Sequence, residues 1–170
     1  MSESAAVLIG ESFVGDGPEA AHVNAVLGHR AGPVGTAWAT ALATPSAGHT
    51  PFVAVLKPGT PVKPLTLFVN KAAIVGDEHG TLTWGAAQAG VAGGVADAVA
   101  DGIIAAADAD ALVLIAAVWV NPAARDADLV YANNREATRA SLAAAASAEP
   151  SLDAVLAARA APYNPFYQAL

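Results

Sequence analysis

Apolar and polar positions alternate from Ala21 to Leu27: Ala21, Val23, Ala25 and Leu27 share one side, and His22, Asn24 and Val26 share the other. That period of two predicts a strand with one buried face. Val7-Leu8-Ile9 is a short apolar run upstream, and Gly15-Asp16-Gly17-Pro18 between the two is dense turn chemistry, so a hairpin is expected. Gly32-Pro33 then opens a helical segment over 34–43, in which Val34, Ala37, Trp38, Ala41 and Leu42 recur at helical spacing. Residues 52–56 and 65–69 read as two further strands, divided by LKPGTPVKP, whose prolines interrupt any continuous ladder.

Over 85–101, Gln88, Val91, Val95 and Val99 return at helical intervals, and Gly102 stands where a helix stop belongs. Gly90, Gly93 and Gly94 each forgo about 1 kcal/mol of helix propensity relative to alanine, which makes sense where another backbone approaches closely. ALVLIAAVWV, over 111–120, is continuously apolar between Asp110 and Asn121-Pro122, the pattern of a central strand buried on both faces. Asp126 or Asp128 caps a long helix through Ala146, with Glu136 and Arg139 as an (i, i+3) pair, and Pro150 stops it. A short helix is expected within 151–161, and the aromatic tail YNPFYQAL is suited to docking. No repeat or linker divides the chain, so the fold class is α/β (mixed α+β) in one domain over 1–170.

Composition adds an assembly expectation. Of 170 residues 55% are hydrophobic and only 14% charged, so a monomer would expose apolar patches that self-association buries. A net charge of -7 with eight basic residues argues against nucleic acid, whose phosphates demand many cationic contacts. Lys57, Lys63 and Lys71 nevertheless crowd one segment, either to meet an anionic ligand or as solvated strand ends. The absence of cysteine excludes disulfides and thiolate chemistry. No basic start precedes a long apolar run, and no apolar stretch reaches the roughly 18 residues needed to span a bilayer. A cytoplasmic protein without membrane contact is expected.

The candidate chemistry centres on His22. Beside Asp16 and Glu19, its imidazole would exchange protons near neutral pH. The alternative is a structural histidine bonded to backbone. His22, His29, His49 and His79 never recur at helical metal-ligand spacing, so no metal site is expected. The glycine turn lacks the GxxxxGK[ST] pattern of a phosphate loop, and no serine sits in a nucleophile elbow.

Ordered blocks along nearly the whole chain resemble the formaldehyde-activating enzymes. They are Gly10-Glu11-Ser12-Phe13-Val14-Gly15-Asp16-Gly17 with Glu19 and Ala21-His22-Val23, Gly32-Pro33 before Ala37-Trp38, Lys63-Pro64 through Asn70-Lys71, Trp84-Gly85-Ala86-Ala87-Gln88, Asp101-Gly102-Ile103-Ile104, and Glu136-Ala137-Thr138-Arg139. The resemblance implies a fold like domain 2 of ribosomal protein S5, a homopentamer with clefts between subunits, and condensation of formaldehyde with tetrahydromethanopterin or a related reduced pterin as co-substrate, without a metal. It places His22 as the catalytic acid or base with Asp16 beside it, and Thr66, Asn70, Lys71, Trp84 and Gln88 along the pterin cleft.

The chain departs from that pattern in places. The family's Phe-Gly-Pro-Ala-Gln is Trp84-Gly85-Ala86-Ala87-Gln88 here, His-Trp-Glu-Ala is Asn121-Pro122-Ala123-Ala124, Asn-Tyr-Glu-Ala-Thr-Lys is Asn134-Arg135-Glu136-Ala137-Thr138-Arg139, and Pro-Asn-Leu is Pro58-Gly59-Thr60. These changes point to altered ligand contacts. Three readings follow: the parent condensation, condensation of another aldehyde with another amine, or a non-catalytic formaldehyde or pterin carrier or sensor.

Overall fold

The computed structural model describes residues 6–165 and 167–168. The chain folds as a mixed α/β structure. Strand β1 (Val7–Val14) turns through a short 3-10 segment (Gly17–Glu19) into β2 (Ala21–His29). The expected hairpin is present, with β1 running five residues past its apolar start. Its register sets Val14 opposite Ala21 and Phe13 opposite His22. Gly15 and Gly17 carry the left-handed backbone of this turn, at φ of 82° and 64°, a conformation that a Cβ disfavours.

Helix α1 (Pro33–Ala43) follows, then β3 (Phe52–Val53), β4 (Val55–Lys57), β5 (Thr60–Pro61) and β6 (Leu65–Asn70). The expected 52–56 strand is therefore split. Its first half pairs with β6, while β4 turns back on β5 as a separate two-stranded ribbon. Helical structure next begins at Gly76, nine residues earlier than the apolar period indicates: α2 (Gly76–Thr81) continues through a π turn (Leu82–Ala87) into α3 (Gln88–Ala100). The segment Gly76-Asp77-Glu78-His79-Gly80 has too little apolar periodicity to announce a helix. Strand β7 (Leu112–Trp119), α4 (Ala127–Ala146), α5 (Leu152–Ala158) and the ribbon β8 (Tyr163–Asn164) and β9 (Tyr167–Gln168) complete the described chain. Positions 166, 169 and 170 of the aromatic tail lie outside the described residues.

The main sheet has the order β1-β2-β7-β6-β3, with β6 parallel to β7 and the other neighbours antiparallel. One face is covered by α3 and α4. The contact is close because the sheet and α3 supply glycine where the backbones meet: a Cβ at Gly10 would overlap the Ser141 carbonyl, one at Gly90 would lie 2.4 Å from the Tyr131 carbonyl oxygen, and one at Gly94 2.3 Å from that of Arg135. Ala21, Val23, Ala25, Phe68, Leu114, Ala116 and Val118 form the fully buried layer beneath these helices. Burial of such side chains, at roughly 25 cal/mol per Å² of apolar surface, is the main stabilising term.

The opposite face is open at one end. Val34 of α1 lies against Gly28, but Val7, Ile9 and Phe13 on that side remain exposed and Ile115, Ala117 and Trp119 are only half-buried. The central strand is thus covered along its length on one face and only at its α1 end on the other. Asp126 is the cap of α4, accepting from the Asp128 and Leu129 amides at 3.0 Å each. Arg139 pairs with Asp101 at 2.7 Å rather than being held by Glu136, and Arg135 grips Asp97 through two bonds, so both arginines tie α4 to α3 and its C-terminal end.

Candidate active site

His22 projects from the open face because it occupies the polar phase of the alternation in β2. Phe13, directly opposite on β1, stacks on the ring with centroids 3.7 Å apart and planes 10° from parallel. Glu11, one diagonal step along β1, reaches Nε2 with Oε1 at 3.0 Å. On the other side Lys71, just past β6, donates from Nζ to His22 Nδ1 at 3.0 Å and to Asn24 Oδ1 at 2.7 Å. The Lys71 amide bonds the Val118 carbonyl, which fixes the lysine stem against β7.

Phe13, His22, Lys71, Trp119 and Asn164 line an open hollow of about 410 Å³. The His22 side chain keeps 24% of its surface exposed, so the ring reaches solvent and a ligand alike. Burial pushes the imidazole pKa below 6.5, and the neighbouring Lys71 ammonium pushes it the same way, while Glu11 acts against both. Burial likewise lowers Lys71, again opposed by Glu11. A histidine and a lysine that share a hydrogen bond and are both held below their ordinary values have the chemistry to exchange a proton. His79 shows the contrasting structural case: buried, it accepts from the Val75 amide at Nδ1 and lies 2.9 Å from the Val120 carbonyl at Nε2, so both its nitrogens face main chain.

The carboxylate beside His22 is Glu11, not Asp16 or Glu19. Asp16 is exposed at the start of the 3-10 turn and its side chain makes no capping bond. Glu19 turns instead to the Arg125 amide at 3.2 Å. Of the residues expected along a cleft, Lys71 is in the hollow and Trp84 is half-exposed on the π turn, facing Thr50 and Phe52 in a separate depression. Thr66, Asn70 and Gln88 are buried on the helix-covered side: Thr66 donates to the Pro64 carbonyl, Asn70 to the Gly48 and Ala72 carbonyls, and Gln88 exchanges two bonds with the Val55 backbone. They hold the β3–β4 segment and the adjoining loops in place.

Glu11 and Asn24, which complete the polar cluster, were within reach of sequence reasoning. Once the hairpin is drawn with Phe13 opposite His22, the period of two puts Glu11, Phe13, His22 and Asn24 on one face. The lone Lys71 beside that face depends on β6 lying next to β7, which no local pattern encodes. Among the described residues no group of three or more histidine, cysteine or carboxylate side chains is arranged to hold a metal ion.

Of the clustered departures from the family blocks, Arg135 is spent on the α3–α4 clamp, bonding Tyr131 as well as Asp97. Asn121 closes the turn after β7, accepting from the Ala123 amide, and Gly59 forms the tip of the β4–β5 ribbon at φ 78°. Trp84 alone among them presents a large aromatic surface beside a depression.

Comparison with known proteins matches the family described as formaldehyde-activating enzyme (Fae) over residues 9–167. The chain is 42% identical over 159 residues to 5,6,7,8-tetrahydromethanopterin hydro-lyase of Methanosarcina barkeri, covering 94% of this chain and 89% of that protein. It is 43% identical over 150 residues to the bifunctional enzyme Fae/Hps of Methanococcoides burtonii, and 40% identical over 158 residues to that of Archaeoglobus fulgidus. These alignments cover 88% and 93% of this chain but only 38% and 40% of the two bifunctional proteins. With a match across nearly its whole length, the chain belongs to the formaldehyde-activating enzyme family.

Proposed function

We propose that this chain is a lyase that condenses formaldehyde with tetrahydromethanopterin, or a closely related reduced pterin, to the methylene derivative and water, with His22 as general acid and base. The observation that carries this reading is the setting of His22, exposed in a hollow with its nitrogens toward Glu11 and Lys71 rather than main chain. The name of the Methanosarcina barkeri relative supports the co-substrate.

The chemistry needs little more than such a ring. Attack of one pterin amine on formaldehyde gives a carbinolamine whose hydroxyl departs only when protonated. The second amine then closes on the resulting iminium and gives up its proton, so the group that supplied a proton recovers one. Holding both amines near one carbon supplies several kcal/mol more of the barrier. In this reading Trp84, whose depression shares no lining residue with the His22 hollow, meets the pterin across a subunit boundary. Thr66, Asn70 and Gln88 brace the walls from behind, and Asp16 shapes the turn that presents His22.

The subunit is read as a single domain like domain 2 of ribosomal protein S5, assembled as a cytoplasmic homopentamer. The apolar open face supports association, since Ile9 is 65% and Phe13 36% exposed beside the His22 hollow. A neighbour laid there would turn the hollow into a cleft.

The test is ultraviolet absorbance on mixing formaldehyde with tetrahydromethanopterin, with and without protein, and then with tetrahydrofolate. Acceleration with the first is expected, and a loss of roughly 10²–10⁴-fold in His22→Ala, the usual contribution of a general acid or base. A His22→Ala variant at full rate would remove the acid-base assignment. The second reading, another aldehyde and amine, is favoured by Trp84 standing where the family has phenylalanine, and by the loss of the proline two residues on. Absence of binding to either pterin would establish it over the first.

A further inference from the structure

With Lys71 as an ammonium, the hydrogen bonds around His22 assign its protons. An ammonium donates and cannot accept, so with Lys71 Nζ 3.0 Å from Nδ1 that nitrogen carries a lone pair. Nε2, 3.0 Å from the Glu11 carboxylate, must then carry the hydrogen. Asn24 Nδ2 lies 3.5 Å from Nε2, too long to compete as a donor, and the Asn24 carbonyl oxygen is already taken by Lys71. The ring at rest is neutral. It has no proton of its own to spare at Nδ1, and it becomes an imidazolium only by taking one from Lys71 or from solvent. Among the described residues, the titratable groups facing His22 are Glu11 on β1 and Lys71 after β6. Phe13, Asn24, Trp119 and Asn164 make up the rest of its surroundings.

We propose that Lys71 is the proton reservoir of this site: the ammonium and the imidazole work as a relay, with Glu11 as a positioning residue that keeps the hydrogen on Nε2 until the substrate hydroxyl takes its place. This rests on the reading of His22 as the acid. In the dehydration step the C–O bond of the carbinolamine breaks and its electron pair leaves with oxygen. The carbinolamine hydroxyl takes the place of the half-exposed Glu11 carboxylate at Nε2, and the Nε2 hydrogen passes to that oxygen, forming water, as a Lys71 hydrogen passes to Nδ1. Lysine ends neutral, the ring ends as its Nδ1–H tautomer, and the positive charge now resides on the iminium. Ring closure reverses the relay: the attacking amine loses its proton to Nε2, and Nδ1 returns one to Lys71. No group outside the substrate and this pair is consumed.

The pKa directions agree, since a cation bonded to Nδ1 opposes a second positive charge on the ring. The experiment is nitrogen-detected NMR of His22 in the free protein, with kcat measured alongside. At pH 8 the wild-type ring is expected as the Nε2–H tautomer. In Lys71→Met its pKa rises by about one unit, the ordinary effect of removing a like charge at this range, while in Glu11→Gln it falls. Lys71→Arg keeps a cationic donor that does not give up its proton, so the Nε2–H tautomer survives while kcat falls by roughly 10²-fold. An Nδ1–H resting tautomer, an unmoved His22 titration in Lys71→Met, or wild-type kcat in Lys71→Arg with the tautomer intact would each overturn the relay. If the wild type fails to condense formaldehyde with the pterin, the proposed reaction falls, and the tautomer and the Lys71→Met titration still decide the proton reservoir on their own.

Discussion

Phe13 acts on His22 beside the charged groups, because its ring covers one face of the imidazole and burial is the largest cause of the lowered pKa. Phe13→Ala uncovers that face. The His22 pKa is then expected to rise toward 6.5, measurable by NMR titration, and the optimum of kcat to move upward in pH with it. The sign of the stability effect follows. With the folded value below 6.5, the unfolded chain takes the proton first, so the fold loses stability as pH falls from 6.5 through the lowered value. Phe13→Ala narrows that window, which thermal unfolding at pH 5 against pH 8 would register. His22 itself stands out in the sequence as a polar residue in an apolar alternation. Its carboxylate partner does not: Asp16 and Glu19 are nearer along the chain, but Glu11 is nearer in space because hairpin register, not sequence distance, sets side-chain neighbours.

Among the elements, α3 and α4 show why the sequence spends helix propensity on glycine. At Gly94 a Cβ would meet the Arg135 carbonyl oxygen at 2.3 Å and Thr138 Cβ at 2.8 Å, atoms that cannot yield separately from α4. At Gly93 it would meet only the Arg135 side chain, at 3.3 Å or more. Gly93→Ala should therefore be neutral or stabilising by up to about 1 kcal/mol. Gly94→Ala should destabilise by about 1–3 kcal/mol through overpacking. Urea denaturation of the pair separates the two, and equal effects would contradict a close α3–α4 crossing at Gly94. Asp126→Ala should cost about 1 kcal/mol, because two α4 amides lose their acceptor. The glycine spacing and the cap were legible because each expresses a local requirement. The early start at α2 and the π turn were not, since they are stabilised by what they pack against rather than by their own periodicity.

At the scale of the molecule, one face of the sheet is sealed by helices and the other is left apolar and open beside the histidine. Few charged residues remain to solvate it, as composition alone indicates. α5 repeats the pattern, with Leu152 72% exposed and Val155 and Leu156 about half-exposed. Light scattering is expected to give a homopentamer, and Ile9→Glu, which places a charge on the open face, to shift it toward smaller species with loss of activity. A monomer at full activity would end the proposal of a cleft shared between subunits. No helix among the described residues is long and apolar enough to cross a membrane.

By itself the sequence determined the main strands and helices, the buried phase of β2, the close backbone approach at Gly90 and Gly94 and the prominence of His22, all of which are written in periods of two and 3.6 or in single-residue conformational needs. Only the tertiary structure decided that Lys71 joins Glu11 and Asn24 at that ring and that Thr66, Asn70 and Gln88 face inward. Which strands lie side by side, and in what register, is settled by how the whole apolar surface is best buried, and no short stretch of chain carries that information.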